Sequence, residues 1–338
     1  MDVSDEHIWR RAGLQVNSVL ERFLFVWLLS AMGIGYVLSV HLSMLSGAIV
    51  ALFAYMTFVT ALGTRLRDFV YVFAHPQKLV VMFLLIHLVL PLLAFGVAHI
   101  WLSSESMYMV GVVLGSSIPV GVTSIMWTGL AGGDLPLALA IVSVDTMLSP
   151  LTLPLTIRVI FGRAVGMPFW TLFWGLFWMV VIPTIAGMIV NEWSRGRIKP
   201  LLQPFAGPTS KLSLLSVVAI NVAIVAPELT HGGHLAMLLI TLMIMAAMGY
   251  GVGYFVSRMM RAENKTRVTM TYNVGMRNIS AGIVIATHYF GHAVSIPVVF
   301  AMLFQQPLAT LLHFLFSRAQ KAHRQDTTEQ LPTISAHS

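Results

Sequence analysis

Polar residues are sparse in this chain and fall in clusters. The runs between the clusters are apolar on all sides rather than along one stripe. Crossing a hydrocarbon layer takes roughly 20 mostly apolar residues, and ten runs meet that length: 22–41, 43–63, 78–101, 107–131, 135–161, 168–191, 211–228, 233–257, 267–290 and 293–316. A membrane β-barrel would show short alternating segments instead. The pattern therefore predicts an all-α polytopic membrane protein of ten helices. Residues 1–21 are polar and lack the apolar core of a cleavable leader. The polar tail 317–338 is expected to be disordered.

Composition agrees with the pattern. Only 10% of the 338 residues are charged, against about 25% in soluble domains. The chain has no cysteine, which excludes a disulfide framework, a zinc–thiolate site and an iron–sulfur centre. The formal charge of +7 raises the question of nucleic acid, but the location of the charges answers it. If ten helices alternate, 17 of the 20 Lys and Arg residues fall on one side, and only Arg158 and Arg163 fall on the other. Cytoplasmic loops carry the Lys/Arg excess, so both termini are expected in the cytoplasm and the protein in the inner (plasma) membrane. The basic charge thus reports topology, and no nucleic-acid partner is expected.

The stretch 192–211, with Pro200, Pro204 and Pro208, reads as a cytoplasmic loop dividing the chain. It suggests a first five-helix repeat over 22–161, helix six and the loop within 162–210, and helices seven to ten over 211–316. Five is odd, so the second repeat would enter the membrane inverted, an architecture of transporters. Internal echoes agree: Gly121 and Gly275 lie 154 residues apart, and Ser149-Pro150 and Gln306-Pro307 lie 157 apart.

The chemistry collects around these echoes. Pro119 and Gly121 interrupt span four, and Gly275 marks a matching break in span nine. Non-helical backbone at membrane depth survives only inside protein or along a cavity, and half-helix ends there bind ions. Asp145 is the single acidic residue deep in a span and Arg277 the single basic one. Each charge costs roughly 2.5–3.5 kcal/mol at the bilayer centre. Pairing the two is the inexpensive solution, although the fork of Arg277 also suits a substrate carboxylate. Thr123, Ser124, Thr128, Asn273, Asn278 and Ser280 are polar candidates within the two breaks. His87, close to Pro91, is a candidate proton relay. Asn221, Gln305 and Gln306 read equally as cavity lining or as polar contacts between helices.

The run from Gly115 to Pro154 contains Ser117-Ile118-Pro119-Val120-Gly121 and Ser143-Val144-Asp145-Thr146-Met147-Leu148-Ser149-Pro150. Together with Asn273-Val274-Gly275-Met276-Arg277-Asn278, it resembles the bile acid:sodium symporter family. The resemblance implies a four-helix panel and a six-helix core, with broken helices four and nine crossing at mid-membrane. It also implies transport of an organic anion, usually with sodium. Ser124, Met276 and Asn278 match the family pattern. Sodium-coupled members carry Glu at the position of Asn273, Gln at that of Arg277 and Asn at that of Ile125, with hydroxyl residues where Ala138 and Val142 stand. Asp145 stands where a small hydroxyl residue is usual.

Two consequences remain open. Asp145 rebuilds a sodium or proton site with Ser124, Ser149 or backbone carbonyls, Met276 being beside it in the coupling region. Alternatively, Arg277 fills the cation position and transport is independent of sodium. The expected function is secondary transport of a small organic anion, with no cofactor beyond a coupling Na+ or H+, by a monomer or a homodimer. A receptor that binds without transporting is the rival. No HExxH motif, paired catalytic aspartates or Walker A motif is present, so neither an intramembrane enzyme nor a primary pump is expected.

Overall fold

The computed structural model describes residues 3–65, 76–102, 107–162, 166, 168–229 and 235–329. Among these residues there is no strand, only one isolated antiparallel bridge between Val120 and Arg277. The chain is all-helical. Its elements are α1 (Val3–Arg22), α2 (Leu24–Val37), α3 (Ser39–Ser43), α4 (Ile49–Ala61), α5 (Pro76–Leu84), α6 (Leu90–Trp101), α7 (Met107–Ser117), α8 (Thr123–Leu130), α9 (Leu135–Phe161), α10 (Phe169–Leu176), α11 (Ile182–Trp193), α12 (Ile198–Leu229), α13 (Leu235–Met259), α14 (Asn264–Gly275), α15 (Ile279–Ile285) and α16 (His292–Glu329).

Six helices among the described residues are long and apolar enough to cross a membrane, or seven if α1 and α2, bent by 79°, count as one. The other apolar stretches are divided or short, such as Ser46–Ala61, Met107–Ser117 and Ile279–Phe290. The segment with Pro119 and Gly121 separates α7 from α8, and the residues after Gly275 separate α14 from α15.

Two groups of helices pack side by side. In one, α12 lies against α1, α2 and α4, and α11 lies against α4. In the other, α13 packs on α14, α16 and α6, while α7 is held between α6 and α16. Contacts between the groups run through α9 against α10 and through α12 against α15 and α16. One of them is a hydrogen bond from the Thr287 hydroxyl to the side-chain oxygen of Asn221, so Asn221 joins helices.

The structure departs from the expected pattern at two places. The expected loop 192–211 is helical from Ile198 onward. A proline removes the donor that would bond the carbonyl four residues earlier. Pro204 thus frees the carbonyl of Pro200, and Arg10 of α1 donates to that carbonyl at 3.3 Å. Lys211 also reaches α1, donating to Asn17 at 2.7 Å and pairing with Glu21 at 3.4 Å. A tertiary partner therefore supports what local chemistry reads as a loop. The second departure is the tail. Helix α16 continues to Glu329, because no Gly or Pro interrupts 308–329; residues 330–338 lie outside the described residues.

Candidate binding site at the crossed helix breaks

The two breaks meet. Gly121 donates its N–H to the Met276 carbonyl at 3.1 Å, and Asn278 donates to the Pro119 carbonyl at 2.8 Å. These bonds flank the Val120–Arg277 bridge. Each broken segment thereby supplies the backbone partners that the other lost on leaving the helix. Only glycine fits at 121: a Cβ there would lie 2.8 Å from the Arg277 carbonyl oxygen. Gln305 of α16 secures the same point. Its side-chain oxygen accepts from the Arg277 N–H at 2.8 Å, and its amide donates to the Arg277 carbonyl at 3.1 Å. The sequence placed Gln305 in span ten but held no sign that its amide would clamp this peptide.

Four half-helices end at the crossing. Helices α7 and α14 arrive by their C-termini, and α8 and α15 depart by their N-termini. C-terminal ends carry partial negative charge and N-terminal ends partial positive charge. The two buried charges follow this division. The Arg277 guanidinium donates to the carbonyls of Ser116 at 3.0 Å and Val274 at 2.8 Å, with longer contacts to Met276 at 3.4 Å and Asn273 at 3.5 Å. These carbonyls belong to the C-terminal ends of α7 and α14 or adjoin them. Asp145 accepts from the Val120 N–H at 2.5 Å, just ahead of α8, and its other oxygen bonds His87 Nε2.

The expected ion pair between Asp145 and Arg277 is therefore not formed. Each charge is held by other partners: Arg277 by half-helix carbonyls, Asp145 by the Val120 N–H and the His87 ring. The hydroxyls of Ser124 and Ser149, expected beside Asp145, donate to other groups. Ser124 donates to the Asn273 side-chain oxygen at 3.0 Å. Ser149 donates to the Thr146 carbonyl at 2.8 Å, the carbonyl that Pro150 leaves without its helical donor. Asn273 completes a neutral cluster by donating to Thr128 at 3.3 Å and to the Thr269 carbonyl at 2.9 Å.

The remaining expected site residues fall as follows. Asn278 caps α15 by accepting from the Ala281 N–H at 3.2 Å. Met276 is buried, and its carbonyl takes part in the crossing. Thr123 begins α8 and is half-buried. His87 lies in a π-turn, Leu85–Val89, just before Pro91. Pro91 has no N–H for the His87 carbonyl, and the widened turn carries the helix past that missing bond.

A cavity of about 60 Å³ opens beside the crossing. Its charged wall is Arg277, its polar groups include Ser116 and Gln305, and Leu90, Val112, Leu242 and Met245 form an apolar wall. Gly275 lines it too, whereas Thr123, Ser124, Asn273 and Asn278 do not.

Apolar helices around two broken, crossed spans, with a charge seated on the half-helix ends, define a membrane transporter of the broken-helix kind. Comparison with known proteins agrees. The model of the "Sodium Bile acid symporter family" matches residues 49–231, a match that ends before the second break. The uncharacterized protein YbaS of Bacillus subtilis (strain 168) is 34% identical over 290 residues, covering 84% of this chain and 94% of that protein. The "Uncharacterized sodium-dependent transporter YocS" of the same organism is 23% identical over 273 residues, covering 80% and 84%. The "Probable sodium/metabolite cotransporter BASS1, chloroplastic" of Oryza sativa subsp. japonica is 26% identical over 288 residues, covering 84% and 69%. The chain belongs to the sodium bile acid symporter family: it is a multi-pass membrane transporter and not an enzyme.

Proposed function

We propose that this chain is a secondary transporter of a small organic anion in which the Arg277 side chain stands in the place of a bound sodium ion. The observation behind this reading is the Arg277 guanidinium on the carbonyls of Ser116 and Val274. Carbonyls at the C-terminal ends of half-helices coordinate the coupling ion in transporters of this architecture. Here a covalently attached cation holds them. The neighbouring Asn273 offers an amide where sodium-coupled members of the family carry a carboxylate, so it brings no negative charge to hold a second ion. The cavity suits a compact anion, with the carboxylate toward Arg277 and the body against Leu90 and Met245.

The same reading takes the ten apolar stretches as two inverted five-helix repeats in the plasma membrane, with cytoplasmic termini. The Lys/Arg distribution and the antiparallel meeting of the breaks support it. Alternating access would then be relative motion of the two helix groups.

The test is counterflow in proteoliposomes, with labelled monocarboxylates, dicarboxylates and a bile acid, in sodium and in potassium buffer. The expected result is exchange of a small carboxylate at equal rates in both buffers, lost in Arg277→Gln. No exchange of any anion would overturn the carrier reading. Exchange that requires sodium would favour a second reading, coupling to sodium, which the names of YocS and the rice relative favour.

A further inference from the structure

The anion-carrier reading leaves one pair of buried titratable groups without a task. Asp145 is fully buried, and His87, bonded to it, has a side chain only 8% exposed. A carboxylate placed at this depth is costly and usually marks an ion or proton path. The imidazole bonds Asp145 through Nε2, while its other nitrogen, Nδ1, is buried with no hydrogen-bond partner. Buried polar atoms are normally satisfied, and each exception asks for an explanation. An imidazole with one nitrogen on a carboxylate and the other vacant is equipped to pass a proton along its own length.

We infer that His87 and Asp145 form a proton-binding site, and that a proton is the coupled cation of this transporter. The inference rests on the carrier reading above. The step conserves atoms and charge. A proton from water binds His87 Nδ1, and the Nε2 proton moves to the bonded oxygen of Asp145. His87 ends neutral in the other tautomer, Asp145 ends as a neutral acid, and the site changes from −1 to 0. Release reverses the step.

The second oxygen of Asp145 ties this site to the crossing. It accepts from the Val120 N–H, and Val120 is bridged to Arg277. A hydrogen bond to a carboxylate is about twice as strong as one to a neutral acceptor. Protonation therefore loosens Val120 where the two broken spans are joined.

The elements packed around the pair carry other titratable groups. Arg277 lies across the bridge from Val120, the packed helix Asn264–Gly275 carries Lys265, Arg267 and Tyr272, and Leu90–Trp101 carries His99. The segments Thr123–Leu130 and Phe169–Val181 contain no ionisable residue, and Met107–Ser117 contains only Tyr108. On the helix of His87, Lys78 is turned to Thr266 at 3.2 Å. On that of Asp145, Asp134 caps the start and Arg158 lies in the last turn.

Two measurements test the site, both on the full chain in lipid vesicles. The first is an infrared difference titration with protons as the only ligand. The expected result is the carbonyl stretch of a dry protonated acid in the wild type, absent in Asp145→Asn and with a displaced midpoint in His87→Gln. Those two substitutions keep side-chain size and hydrogen-bonding capacity. The same band persisting in Asp145→Asn would overturn the site. The second sets accumulation of the labelled carboxylate under an inward proton gradient against its counterflow. The ratio is expected to fall about tenfold in Asp145→Asn. Wild-type counterflow without proton-driven accumulation would overturn the coupling and leave the carrier reading standing. Failure of counterflow with every anion would remove the carrier reading, and the infrared titration would still decide the site.

Discussion

At the scale of single residues, this site is a division of backbone partners. Gln305 holds both polar groups of the Arg277 peptide at 2.8 and 3.1 Å. Gln305→Leu strands both in a buried place and is expected to lower stability by about 1–3 kcal/mol, measured as a reduced thermal midpoint in detergent; Gln305→Glu retains the acceptor and should lose less. That Asp145 and Arg277 are buried charges is legible in the sequence, since each is the single charge of its sign inside a long apolar run. Their partners are not. Pairing two lone charges is the inexpensive assumption when only side chains are counted, but half-helix carbonyls and the Val120 N–H are backbone groups whose position no side-chain pattern reveals. The same holds for Ser149, whose hydroxyl satisfies a carbonyl left open by the next residue.

At the scale of elements, interruptions carry as much information as helices. Helix Leu135–Phe161 coincides with the apolar run 135–161, because the run's limits and the local caps agree. Asp134 caps its start by accepting from Leu137 N–H at 3.1 Å. The break at Gly121 is equally legible, since proline and glycine write it locally. The helix over 198–211 is not, since its freed carbonyl is satisfied by α1, about 190 residues away in sequence. Gly121→Ala pushes a methyl group against the Arg277 carbonyl and is expected to cost about 1–3 kcal/mol and to abolish counterflow. Gly33→Ala meets nothing within 4 Å and should leave stability unchanged or raise it by up to about 1 kcal/mol. Equal thermal midpoints for the two variants would refute the tight crossing.

At the scale of the molecule, two helix groups share a seam, and Asn221 and Thr287 meet across it. With no native cysteine, Asn221→Cys with Thr287→Cys gives a clean crosslink. If the groups must part during transport, oxidation should stop counterflow and a reductant should restore it. Unimpeded exchange in the crosslinked protein would mean that the seam stays closed throughout the cycle. The seating of Arg277 has a consequence at this scale too. A ligand joined to its receptor by a short tether is present at roughly millimolar effective concentration whatever the bath contains. If Arg277 fills the place of a sodium ion, the carrier neither waits for sodium nor releases it. Its working rate should therefore be indifferent to salinity, and the habitats open to such a carrier include those where free sodium is scarce.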